Sequence, residues 1–190
     1  TGIVKPSGGS EGNGSFLVQH ESKLPCAGGH VASKPYVAQT YLSPLLMDGK
    51  KFDLRLYVLV RSVDPLEVYL HREGLARFCT EDYAAPTAEN LGRAYAHLTN
   101  YSLNKRSENY VHLDAADVDA ADAGAADGGG LGPTPAFAGA SKRPASVVID
   151  ELAEAGAIES AATLWAQLDR LTALTCLSLQ PELALKYRAH

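Results

Sequence analysis

Nine residues, FDLRLYVLV from Phe52 to Val60, alternate with a period of two. Phe52, Leu54, Leu56, Val58 and Val60 fall on one side of an extended chain, and Asp53, Arg55 and Tyr57 on the other. Such a run is a strand, and a strand needs partners in a sheet. LEVYLH (66–71) and LARFCT (75–80) follow across short turns, the second containing Gly74, so the pattern predicts an antiparallel three-stranded meander. Leu75, Arg77 and Cys79 would share one face. Upstream, residues 2–5 and FLV (16–18) predict two strands joined by the glycine-rich loop SGGSEGNG (Ser7 to Gly14), and YVAQTYL (36–42) another strand, ended by Pro44.

The character of the chain changes after residue 113. Residues 114–140 are low-complexity Ala, Asp, Gly and Pro without periodicity, the composition of a disordered insertion. Helical patterning follows at Ser146 to Glu154 and about Ile158 to Leu179, with Leu164, Leu168, Leu171, Thr175 and Ser178 on one side and Trp165 beside them. Trp165 and these leucines are expected in a core, and Pro181 is expected to close that helix or start the next. The expected organisation is 1–113 as the main portion, 114–140 as insertion, and 141–190 as a helical portion of the same domain. Thr1 is not an initiator methionine and GIVKP enters a strand at once, so the chain reads as a fragment, incomplete at both ends.

Composition narrows the function classes. The net charge is −5, and residues 114–132 hold five Asp with no Lys or Arg, so the rest of the chain is balanced and offers no general basic face for nucleic acid. No apolar run approaches a membrane span and no signal segment opens the chain, which leaves a soluble intracellular protein as the expectation. Cys26, Cys79 and Cys176 are three, far apart and not in CxxC pairs. They read as buried free thiols rather than disulfides or a zinc site.

Three features could carry chemistry. Lys5 precedes a loop in which the backbone N–H groups of Gly8, Gly9, Gly12 and Gly14 can approach an anion; taken alone, a flexible hairpin turn explains the loop better. Lys51, Asp53 and Arg55 lie in register on the polar side of the best strand, spaced ~6.5–7 Å apart, and suit a groove for an elongated ligand, with Arg77 able to join them. A solvated face with cross-strand ion pairs explains them equally. HLTNYSLNK (His97 to Lys105) packs an imidazole, two hydroxyls, amides and an ammonium around few apolar residues, which suits a binding loop or an Asx or ST turn. No Ser-His-Asp order, HExxH or paired-Cys spacing is present, which weakens hydrolase and zinc readings.

Taken together, IVKP with its glycine loop, VAQTYLSPLLMDGKKFDLRLYVLV, DPLEVYLHREGLARFCTEDY, HLTNYSLNK, SKR and a helix with PEL resemble, in this order, the tubulin tyrosine ligase-like family, its polyglutamylase branch above all. The resemblance covers residues 3–113 and 141–187. It implies an α+β, ATP-grasp-like fold: antiparallel sheet, glycine-rich phosphate loop and C-terminal helices. It also implies ATP-dependent ligation of free glutamate to glutamate side chains of a tubulin C-terminal tail through an acyl phosphate. The alternatives are glycine or tyrosine ligation, or an inactive microtubule-binding module of the same fold.

Carried over by motif, Lys5 would contact the phosphates under a loop that includes Gly9, Gly12 and Gly14. Gln39, Tyr41 and Leu42 would line the adenine pocket, and Lys51 and Asp53 would hold the nucleotide. Arg55 and Arg77 would reach the terminal phosphate. His97, Thr99 and Asn100 would complete the pocket beside the acceptor, Asn100 with a catalytic role, and Lys105 would serve the anionic substrate. Many relatives place a basic residue or Gln near Glu11 or Asn13, and the 114–140 insertion matches no family element. The family's Mg2+ ligands would lie beyond His190, so no metal residue is assigned and the chain by itself is expected to be inactive. The implied location is the cytoplasm and cytoskeleton, including cilium or basal body.

Overall fold

The computed structural model describes residues 1–8, 12–24, 35–113, 137 and 139–188. Gly9, Cys26 and all of the 114–140 insertion except Phe137, Gly139 and Ala140 lie outside them. The protein is a mixture of helix and antiparallel sheet. β1 (Gly2–Pro6), β2 (Phe16–Val18) and β3 (Tyr36–Thr40) form one sheet in the order β2-β1-β3, with Ile3 opposite both Leu17 and Gln39. Period-two alternation sends Val4 to the buried side and leaves Ile3 and Lys5 on the other. The turn into β2 passes through Gly12 and Gly14, both with φ above +70°, a conformation that costs a residue with a Cβ.

A second sheet has the order β4-β5-β6-β7, with β4 (Leu46–Met47), β5 (Lys50–Val63), β6 (Leu66–Phe78) and β7 (Lys142–Pro144). Asp48 and Gly49, at φ 53° and 72°, make the tight turn between β4 and β5, the positive-φ pair that hairpin twist favours. The expected meander is corrected here. LEVYLH and LARFCT are not two strands but one continuous strand of 13 residues, β6. Gly74 does not turn the chain. A Cβ built on it would collide with the Arg55 carbonyl and come within 2.9 Å of the Leu56 side chain. Glycine is there because β5 runs too close for a side chain.

The chain packs as two units, the first comprising Thr1–Asp53, Arg77–His112 and Gly139–Ser141, the second Leu54–Ala76, Leu113–Ala138 and Lys142–His190. In the first, Val4, Leu17, Val18, Cys79, Ala96 and Leu98 are buried, and the rings of Phe52 and Phe78 stack at 5.4 Å. It also holds two single-turn helices, α1 (Ala94–His97) and α2 (Tyr101–Asn104). In the second, α3 (Ala145–Glu154) buries Val147, Val148, Ile149 and Leu152, and Phe137 packs with Val147 and Leu113. Pro144 offers α3 no side-chain cap, and Glu73 of β6 replaces it by accepting from the Ser146 N–H at 3.2 Å and the Ser146 hydroxyl at 2.5 Å.

α4 (Ala161–Arg188) departs from expectation twice. It runs through Pro181 instead of ending there. Contacts on both sides of the proline hold the helix in line: Gln180 donates to the Val63 carbonyl at 2.9 Å, and Arg188 pairs with Asp64. Nor is α4 a core helix, since none of its residues is buried and Leu171 and Leu185 are 62% and 72% exposed. Trp165 is half-buried beneath the Arg72 guanidinium, 5.3 Å from the ring centroid, and Arg72 also binds Asp169 at 2.8 Å. Cys79 is a buried free thiol as expected, but Cys176 on this helix is only half-buried. No described helix is long and apolar enough to cross a membrane.

The close approach at Gly74 gives a direct test. Gly74→Val is expected to lower unfolding stability by about 1–3 kcal/mol, the usual cost of overpacking, as read from urea midpoints. Unchanged midpoints would show that the two strands can separate to admit a side chain.

Candidate functional site

Within the first unit, Ile3 and Lys5 of β1, Gly12, Asn13 and Ser15 of the glycine turn, Lys51 and Asp53 of β5, and the arc His97 to Asn100 enclose a cleft of about 460 Å³. That volume lies in the range of small-molecule sites. Period two in β1 and again in β5 aims Lys5, Lys51 and Asp53 to one side of each strand. Lys5 Nζ donates to Gln39 Oε1 at 2.9 Å, so Gln39 reaches the cleft by orienting this lysine. The two residues are diagonal neighbours across β1 and β3.

Lys51 is held by three contacts. Its Nζ donates to the His97 carbonyl at 2.8 Å and the Tyr41 hydroxyl at 3.1 Å, and lies 4.5 Å from the Tyr41 ring centroid. Both acceptors are uncharged. Burial pulls the ammonium below its ordinary 10.5, against the opposing pull of Asp53. Asp53 itself is matched: Arg77 donates to its two oxygens at 2.8 and 2.5 Å, the forked geometry of a strong carboxylate pair. With that negative charge matched, Lys5 and Lys51 leave the described lining of the cleft net positive.

The remaining predicted residues divide. Thr99 and Asn100 line the cleft, and a Cβ at Gly12 would come within 2.5 Å of Asn100 Oδ1, so loop and arc touch across its mouth. His97 is buried, with Nδ1 3.5 Å from the Tyr41 hydroxyl and the edges of Tyr41 and Tyr83 against its ring. Burial pushes the Tyr41 phenol up and the Cys79 thiol up to about 12, so neither is ionised near neutral pH. Gly14 packs on Pro6 behind the turn. Leu42 is 77% exposed, and Lys105 is exposed with its ammonium 5.3 Å from the Tyr101 ring centroid. Arg55 belongs to the second unit, where its guanidinium lies 5.8 Å from the Tyr57 ring centroid.

Sequence reasoning missed Tyr83, whose ring walls His97, and Asn104, which is buried behind the arc. Asn104 follows Asn100 by one helical turn, and that spacing within HLTNYSLNK was its signal. Among the described residues no three His, Cys, Asp or Glu side chains come together as a metal site.

A family model described as "Tubulin-tyrosine ligase family" matches residues 1–121. The chain belongs to the tubulin-tyrosine ligase family. Over 190 residues, all of this chain, it is 40% identical to the tubulin polyglutamylase TTLL11 of Homo sapiens, and over 189 residues 36% identical to tubulin polyglutamylase ttll-11 of Caenorhabditis elegans. Against the tubulin polyglutamylase TTLL7 of Homo sapiens, identity is 46% over 110 residues, 58% of this chain. The chain spans 23% of the length of either TTLL11 relative and 12% of TTLL7. Similarity to the TTLL11 proteins therefore extends through α3 and α4, well beyond the stretch shared with TTLL7. The residues that enclose the cleft all lie within the family match.

The buried imidazole gives this tubulin-tyrosine ligase family chain a measurable acid limit. Burial, aided by the Lys51 and Arg93 charges, lowers His97 below its ordinary 6.5. As pH falls below 6.5 the unfolded chain takes up this proton before the folded one does. The stability owed to the neutral ring is thus complete above that pH and is lost progressively down to the depressed folded value. Melting temperatures across acidic pH should fall more steeply for wild type than for His97→Gln, and parallel slopes would contradict the assignment.

Proposed function

We propose that this chain is the nucleotide-binding portion of an ATP-dependent ligase of ATP-grasp type that adds glutamate to glutamate side chains of tubulin tails. The observation that carries the reading is the pair of cleft cations, Lys5 and Lys51, held by uncharged acceptors while Asp53, the one carboxylate among the described residues that line the cleft, is matched by Arg77. Such a cleft attracts a polyanion, and a triphosphate suits its elongated arrangement of donors. The glycine turn supports the same reading, since its approach to Asn100 leaves no room for a side chain at Gly12. The acceptor and the amino acid are taken from the relatives, which are named tubulin polyglutamylases.

In this reading, an oxygen of the acceptor carboxylate attacks the terminal phosphorus of ATP and ADP leaves, giving an acyl phosphate. The amine of free glutamate then attacks the acyl carbon and phosphate leaves, forming the amide. Lys5 and Lys51 hold the phosphates, and Arg77, anchored on Asp53, is assigned to the terminal phosphate. Arg55 is assigned to the terminal phosphate, Thr99 and Asn100 to the cleft side nearest the acceptor, and Lys105 to the anionic tail. Gln39 orients Lys5, and Tyr41 and Leu42 are assigned to adenine. Catalysis of this kind rests on positioning anions and stabilising charge on the transferred group. Asp53, already held by Arg77, does not make a magnesium site by itself. An enzyme that modifies tubulin would act at the cytoskeleton.

The test uses the full-length protein with ATP, free glutamate and tubulin. Glutamyl additions to the tubulin tails should appear by mass spectrometry, and Arg77→Ala should abolish them. Lys5→Ala should weaken ATP binding roughly 10-fold or more, from the ~1.5–3 kcal/mol of a charge-assisted hydrogen bond. ADP release that depends on glycine or tyrosine instead of glutamate would reassign the amino acid, and wild-type protein that binds no ATP would end the nucleotide reading.

A further inference from the structure

We infer that Asn104 is the positioning residue of the cleft: its side chain sets the backbone of the arc Leu98 to Asn100 and thereby the place where Thr99 and Asn100 face the bound ligand. Asn104 does not line the cleft. Only 1% of it is exposed, and all its amide valences are used on backbone and on one buried threonine. Its Nδ2 donates to the Leu98 carbonyl at 2.7 Å and to the Asn100 carbonyl at 3.1 Å. Its Oδ1 accepts from the Thr80 N–H at 3.0 Å and from the Thr80 hydroxyl at 3.2 Å. One planar group therefore ties both ends of a three-residue arc to the residue that follows β6 and Cys79.

The arc needs this help. α2 is a single turn, and Asn100 at its start makes no side-chain cap. Its own side chain is instead turned to Gly12, across the mouth of the cleft. The backbone of Asn100 is left to be held from behind, and its carbonyl accepts from the N–H groups of Leu103 and Asn104 as well as from Asn104 Nδ2. A buried amide satisfied on every side is costly to disturb, because each lost partner leaves a polar group unpaired. Asn104→Asp keeps the shape and the Oδ1 acceptor for Thr80 but replaces the donor with an oxygen facing two carbonyls. It should release the arc without emptying the core.

The consequence for ATP rests on the nucleotide reading above, so the experiment has two independent readouts, both on the full-length enzyme. Amide hydrogen exchange of residues 98–100 should speed up in Asn104→Asp, and the KM for ATP should rise about tenfold while the KM for free glutamate stays at the wild-type value. A merely structural loss would lower the active fraction and leave both KM values unchanged. Unchanged exchange with unchanged KM for ATP would overturn the assignment. Faster exchange in a protein whose wild type binds no ATP would leave the brace standing and overturn the nucleotide reading instead. If Asn104→Asp does not fold, Thr80→Val, which loses the hydroxyl donor, should raise the KM for ATP while Thr80→Ser behaves as wild type. Identical KM values in that pair would equally overturn the proposal.

Discussion

The ammonium of Lys51 is anchored by a carbonyl and a phenol rather than by a carboxylate, and the electrostatics of the cleft depend on that choice of partners. A carboxylate partner would have stabilised the lysine more and cancelled its charge. Neutral acceptors fix its direction and leave its field intact, at the cost of a half-buried cation that gives up its proton more readily. The same economy governs Lys5, held by Gln39, while the negative charge of Asp53 is matched by Arg77. Among the described residues that line the cleft, two cations are left without a carboxylate partner, and Arg77 is locked in a planar orientation by Asp53.

Strand length makes this arrangement possible. β6 continues without a break from Leu66 to Phe78, and past its end the Cys79 N–H still donates to the Lys51 carbonyl at 2.8 Å. Arg77 is thereby carried to Asp53, and Thr80 to Asn104. Had Gly74 turned the chain, Arg77 would lie on a strand of its own with no fixed register against Asp53. The glycine is a spacing device, and its role is set by the Arg55 carbonyl opposite it. Glu73, next to it, turns to the N-terminus of α3 and supplies the cap that Pro144 cannot.

Local pattern made strands legible near 2–5, 16–18, 36–42 and 52–60, the last by alternation of side chains, a local property of extended backbone. It also put Lys51 and Asp53 on one side of β5, as found. It failed at Gly74, where a residue that usually marks a turn marks a close approach. It failed again at Pro181, where contacts to the β5–β6 connection outweigh the break a proline would otherwise make. It gave Trp165 and the α4 leucines a core that none of the described packing supplies. Motif reasoning found the arc residues that line the cleft and overlooked Asn104, whose one-turn spacing from Asn100 does not by itself say that its amide braces the backbone.

The places of the strands near 2–5, 16–18, 36–42 and 52–60, the glycine-rich turn before β2 and the identity of the polar side chains were therefore legible in the sequence, where neighbours along the chain decide conformation. Which charges cancel and which survive was not. Asp53 and Arg77 are 24 positions apart, and Lys51 meets the His97 carbonyl across 46. Only when strand and arc are brought to within hydrogen-bond distance does Arg77 neutralise Asp53 instead of Lys51 doing so. That pairing, a matter of a few ångströms in space and invisible along the chain, is what leaves the described lining of the cleft positive.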